Sequence, residues 1–203
     1  MTTDGTAKDR PDGISPSQTV GPFFHYGLTP GSAYPDVPVS ADGQVAAPGT
    51  AGEHIVVTGR VIDGAGAPVP DAMIEIWQAD ADGRYAHPAD GRARANNSFM
   101  GFGRSDTNAE GIYRFATIKP GRAPGLNGAE QAPHLLVAVF GRGMLKHLYT
   151  RIYFDGEPSN DTDAILNLVP ADRRKTLIAR REGTTYRLDI RLQGEDETVF
   201  FDV

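Results

Sequence analysis

Any chemistry carried by this sequence has to be done without cysteine. Zero Cys among 203 residues removes disulfides, thiolate nucleophiles, iron–sulfur clusters and Cys-based zinc sites together, and it fits a reducing compartment. The side chains left with useful chemistry are Tyr85 in DGRY, His87 two residues on, His134 in APHLLVAVF, His147, and Arg142 in FGRG. Two histidines spaced His-x-His would share one face of a strand, but none of these is so spaced, since Leu136 follows His134 at that distance. A guanidinium in a turn, by contrast, can attract or clamp an organic anion. Plainer roles stand beside each: a packed tyrosine, a hydrogen-bonded core histidine, a solvated turn arginine. No Walker-type phosphate loop, dinucleotide fingerprint or G-x-S-x-G elbow is present, so other enzyme classes find no support.

Composition sets the frame for these side chains. Two hundred residues suit one sizeable β domain. A hydrophobic content of 39% with 23% charged residues is globular, while 24 Gly and 15 Pro demand many turns and few long helices. The formal charge of −6 argues against a nucleic-acid surface, which needs clustered Lys and Arg. The basic run RRKTLIARR at 173 to 181 reads as a solvated helix face, and the acidic GEDET at 194 to 198 as a hairpin turn. No signal-like stretch and no run of about 20 apolar residues occurs, so a soluble cytoplasmic protein without membrane contact is expected.

The elements that must position the site are mostly strands. Residues 1 to 16 form a polar arm, and the domain proper covers 17 to 203. SQTVGPFFHYGL, 17 to 28, carries an aromatic cluster that must dock against something, and the Pro/Gly-rich stretch from 29 to 53 is a long crossing segment suited to lining an interface. HIVVTGRVI, a DGAG turn and AMIEIWQ read as a hairpin, with Ile74 and Ile76 on one face and Glu75 and Trp77 on the other. GIYRFATI alternates, LLVAVF suits a strand buried on both faces, and TRIYF follows. PADRRKTLIARRE predicts one short helix, with Pro170 in its first turn. YRLDIRL points Tyr186, Leu188, Ile190 and Leu192 inward, and TVFF supplies a last strand. The fold class is all-β: a single Greek-key-like sandwich with long loops and one short helix.

GRVIDGAGAPVPDAMIEIWQADADGRY, 59 to 85, followed by DTNAEGIYRFATIKPG, 106 to 121, resembles the body of the intradiol ring-cleaving dioxygenases. The first half is shared with many β-sandwich modules, and the distinguishing part is IWQADADGRY with RFATIKPG downstream. With SQTVGPFFHYGL and the closing YRLDIRLQGEDETVFFDV, the resemblance covers roughly residues 15 to 203. It implies an all-β sandwich and oxidative cleavage of a catechol ring by O2 between its hydroxyl-bearing carbons. It also implies a ferric ion held by two Tyr and two His, because hard Fe(III) favours phenolate oxygen.

Carried over position by position, the first tyrosine falls on Tyr85, the second on Ala123 of KPGRAPG, and the two histidines on His134 and Leu136. Half the ligand set is missing. Rescue by His87 or His147 lacks the required spacing, so no metal is expected in this chain and Tyr85, Ala123, His134 and Leu136 are vestigial positions. The departure resembles the iron-free chain of two-chain members of the family, whose homologous β chain holds Fe(III) and whose substrate is protocatechuate. In those enzymes the iron-free chain lines the mouth of its partner's site. The matching positions here are Thr19, Gly21, Pro22 and Phe23 of the SQT-x-GP segment and Arg142 of FGRG, a cation suited to the ring carboxylate. No catalytic residue is expected in this chain. Two other readings stay open: a self-sufficient dioxygenase with an unusual ligand set, and a β-sandwich binding module without a catalytic role.

Overall fold

The computed structural model describes residues 18–21, 23–31, 34, 36–94, 98–125 and 128–202. The arm expected over residues 1 to 16, and Pro22, lie outside the described residues.

Period-2 alternation decides the architecture. In β1 (His54–Ile62) Ile55, Val57 and Val61 are buried, and in β2 (Met73–Trp77) Ile74 and Ile76 are buried while Glu75 and Trp77 are half-buried. The remaining strands are β3 (Phe102–Asp106), β4 (Ile112–Ile118), the short pair β5 (Ala123–Pro124) and β6 (Glu130–Gln131), β7 (His134–Phe140), β8 (Leu148–Phe154), β9 (Ile178–Glu182), β10 (Thr185–Arg187) and β11 (Ile190–Arg191). They hydrogen-bond in the order β11-β1-β10-β9-β8-β7-β2-β3, with β4 also on β1. Strand β9 joins two layers, and one core unites them: Val57, Phe115 and Tyr186 from the first, Ile74, Val137 and Ile152 from the second. Tyr186, Leu188 and Ile190 turn inward as their alternation predicts, with Leu192 packed at the core's edge. Burying side chains of this size contributes about 1.5–3 kcal/mol each, which is where the stability of such a sandwich comes from.

Several sequence expectations are corrected. The hairpin between residues 54–62 and 72–78 does not form, because β1 pairs with β4, β10 and β11 whereas β2 pairs with β3 and β7. The DGAG turn itself closes, with the Asp63 carboxylate accepting from the Ala65 and Ala67 amides, and Ile62 bridges to Pro68. Pro68 and Pro70 then deny the ladder its donors, and the chain crosses to the other layer. The helix expected over 170–182 is a single turn, Arg174–Thr176, followed by β9, since pairing to β8 and β10 overrides the helical pattern. A short α-helix, α1 (Phe24–Leu28), lies instead in the aromatic segment. The aromatic tip of that segment stays largely open: none of the residues of α1 is buried, Phe23 is 73% exposed, and Phe23 and Tyr34 pack on Tyr26, which also meets the His25 ring. TVFF makes one bridge, Tyr149 to Phe201, rather than a strand.

Strand β7 is buried on one face only. Leu135, Val137 and Val139 face the core, while Leu136, Ala138 and Phe140 are half-buried on the outer face. This outer face carries the candidate site.

Candidate functional site

Tyr85 is placed by a loop that its own sequence dictates. The Asp80 carboxylate accepts from the amides of Asp82 (3.0 Å) and Arg84 (2.9 Å), and the Asp80 carbonyl accepts from Gly83 (3.0 Å). Gly83 sits at φ +76° with the Arg122 carbonyl where a Cβ would stand, so only glycine lets the KPG turn approach this closely. The Gly121 amide then donates to the Asp80 carbonyl at 2.9 Å, which brings Ala123 beside the tyrosine loop. Asp90 takes the Tyr85 amide at 2.8 Å. Burial pushes the Tyr85 phenol above its ordinary range, against a smaller lowering by Arg151, so it is a protonated phenol at neutral pH.

His134 opens β7. Its Nδ1 bonds the Ala132 carbonyl at 2.7 Å, which fixes the proton there and leaves Nε2 as acceptor for the Tyr85 hydroxyl at 3.4 Å, a long and weak bond. Burial, reinforced by the Arg151 cation, lowers the imidazole to about 4, so it is neutral at pH 7. The preceding segment is fixed by Asp163, fully buried, whose carboxylate accepts from the Ala132, Ile165 and Leu166 amides and the Tyr153 hydroxyl at 2.8–3.0 Å.

These residues do not fit a ferric ion. Ala123 and Leu136 offer carbon where donors are required, and the tyrosine present is held protonated. Arg151 stands directly opposite Leu136 in the β7–β8 ladder and brings a positive charge to the same face. Among the described residues no group of three or more His, Asp or Glu could hold a metal. Neither candidate for rescue makes a contact with His134, although His87 shares a shallow cavity with Tyr85. The His87 ring lies on Trp77 at 5.8 Å with Nδ1 accepting from Ala89, and His147 stacks on Phe140 at 5.1 Å, beyond the far end of β7.

The residues expected to line a partner's entrance are gathered elsewhere. Arg142 follows β7 by two residues, so at about 3.3 Å per residue it lies some 25 Å along the chain from His134 and serves no site of its own there. Its Nε pairs with Asp71, and the side chain remains more than half exposed. Gln18 and Val20, flanking Thr19, line a small cavity together with Phe140, Gly141 and Met144 of the turn that carries Arg142. Thr19, Gly21 and the exposed Phe23 continue from that point. The structure therefore brings the N-terminal segment and the FGRG turn to one end of the sandwich, away from Tyr85 and His134.

Sequence reasoning missed Arg151, Gln131 and Asp163. Arg151 carried a signal, since a charged residue alternating with Tyr149 and Tyr153 between inward Thr150, Ile152 and Phe154 marks the outer face of β8.

Residues 37–194 match the dioxygenase family, and the chain belongs to the intradiol ring-cleaving dioxygenases. More particularly, the α chain of protocatechuate 3,4-dioxygenase from Burkholderia cepacia is 47% identical over 197 residues, covering 93% of this chain and 97% of that one. The β chain of the same enzyme is 43% identical over 158 residues, covering 72% and 67%. Among solved structures, the dioxygenase domain of a carbohydrate-binding fusion protein from Streptomyces sp. SirexAA-E shares the fold with a TM-score of 0.58 at 28% identity, over 88% of this chain and 97% of that one.

Proposed function

We propose that this chain is the iron-free α subunit of a protocatechuate 3,4-dioxygenase, working with a homologous β chain that holds Fe(III). The assembled enzyme cleaves protocatechuate with O2 between its two hydroxylated carbons to 3-carboxy-cis,cis-muconate, both oxygen atoms entering the product. This chain supplies part of the entrance to its partner's site through Thr19, Gly21, Pro22, Phe23 and Arg142. The observation that carries the reading is the near end-to-end match to an α chain together with Ala123 and Leu136 at ligand positions. The exposed aromatic cluster around Phe23 supports an interface at that end, where apolar rings gain most from a partner. A single domain over 17–203 and a cytoplasmic location belong to the same proposal, the latter resting on the absence of Cys from the sequence. A binding module without catalysis is not favoured by these matches.

The test is to purify the chain alone and co-expressed with its β partner. Iron, the visible tyrosinate-to-iron band and protocatechuate-dependent O2 uptake are expected only in the assembly. Stoichiometric iron in the isolated chain, or an assembly inactive on protocatechuate, overturns the reading.

A further inference from the structure

The outer face of strands β3, β2, β7 and β8 is not featureless. Register places Phe102, Trp77, Leu136 and Arg151 in one row across the four strands, and Arg104, Glu75, Ala138 and Tyr149 in the next. Directly opposed residues of antiparallel strands share a face, so the two rows make a floor. Ile165, Leu168 and Phe201 rise as walls around it, and the cavity they enclose is about 450 Å³, within the range of small-molecule sites.

The lining is apolar and aromatic except for its charges, and these do not cancel. Glu75 is neutralised by Arg104, which gives it two bonds at 2.9 and 2.5 Å, and Asp202 pairs with Lys146 at 3.1 Å. Arg151 pairs with no carboxylate among the described residues. Its Nη1 donates to Gln131 (2.7 Å) and to the Tyr153 hydroxyl (3.3 Å), both neutral, and Tyr153 passes its own proton toward Asp163. The guanidinium is thus braced on one side by a fixed hydrogen-bond chain, with its remaining N–H groups unclaimed by the described residues. A half-buried cation without a counter-ion, beside an aromatic floor, calls for an anion carrying a flat apolar body.

We propose that this cavity is a binding site for an aryl carboxylate on the iron-free chain, with Arg151 taking the carboxylate and Trp77, Leu136 and Tyr149 taking the ring. No bond of the ligand is made or broken there. The ligand class follows from the cavity's own chemistry, while its overlap with the enzyme's substrate class rests on the proposed function.

The assembled α–β enzyme is titrated with labelled 4-hydroxybenzoate by equilibrium dialysis while the visible band reports binding at iron. Two equivalents per α–β unit are expected, only one of which perturbs the band. Arg151→Gln should weaken the silent equivalent at least tenfold for 4-hydroxybenzoate and leave the binding of uncharged phenol within a factor of two. Ala138→Phe, which fills the floor, should abolish the silent equivalent and provides the count should the arginine variant fail to assemble. A single equivalent in the unmodified enzyme, the cavity then being covered by the partner, overturns the proposal, and so does a silent equivalent that survives both variants. Oxygen uptake with protocatechuate is measured on the same samples: its absence counts against the proposed function, whereas the silent equivalent counts for or against this site alone.

Discussion

Arg151 faces Leu136 across the β7–β8 ladder, on the sheet surface where the Tyr85 hydroxyl meets His134. The half-site therefore differs from a ferric centre in two independent ways. It lacks two donors, and it carries a fixed positive charge. The second matters because a cation on the same sheet face opposes the binding of a trivalent metal even when donors are supplied.

Rebuilding the donors alone should consequently fail. Ala123→Tyr with Leu136→His restores two phenols and two imidazoles in sequence, yet Ala123 is buried and Arg151 remains. The double variant should hold iron at least about tenfold more weakly than the triple variant that adds Arg151→Gln, the direction set by one like charge on the same face as the metal. Metal analysis with the visible tyrosinate band checks this. Equal affinity in the two variants removes the electrostatic argument.

His134 supplies a pH dependence of stability. Its folded value of about 4 lies below its ordinary 6.5, so the unfolded chain binds the proton more readily and stability falls as pH drops from about 6.5 toward 4. The contribution lost over that window is about 2 to 3 kcal/mol, taking 1.4 kcal/mol per unit. His134→Gln should flatten this portion of the stability profile and lower stability at neutral pH through the lost Ala132 contact. Urea unfolding at pH 7 and pH 4.5 measures both. An unchanged difference between the two pH values in the variant would falsify the assignment.

The sequence makes Ala123 and Leu136 legible and hides what surrounds them. Ala123 and Leu136 can be picked out because the resemblance to the family implies ligands at those positions, and strand alternation is enough to turn Ile74, Ile76, Tyr186 and Ile190 inward. Arg151, Gln131 and Asp163 come from separate elements and meet only through the β7–β8 register and the turns after β8. Residues 170–182 mislead for the same reason. Their helical charge pattern is local, whereas their strand pairing to β8 and β10 is not. LLVAVF reads as doubly buried because Leu136 and Ala138 are apolar, and only the assembled sheet shows that they floor an open cavity.

Arg142 is held by Asp71 in this chain, which refines the role proposed for it at a partner's entrance. In the co-assembled enzyme, Arg142→Ala should raise the KM for protocatechuate about tenfold, equivalent to roughly 1.4 kcal/mol for one charge-assisted contact, and change that for catechol less than twofold. The difference arises because only protocatechuate carries the ring carboxylate. Asp71 competes with that carboxylate for the guanidinium, so Asp71→Asn should move the protocatechuate KM downward while leaving catechol untouched. Steady-state oxygen uptake with both substrates on both variants decides it. Parallel shifts for the two substrates in Arg142→Ala would mean that the arginine supports the interface and does not read the carboxylate.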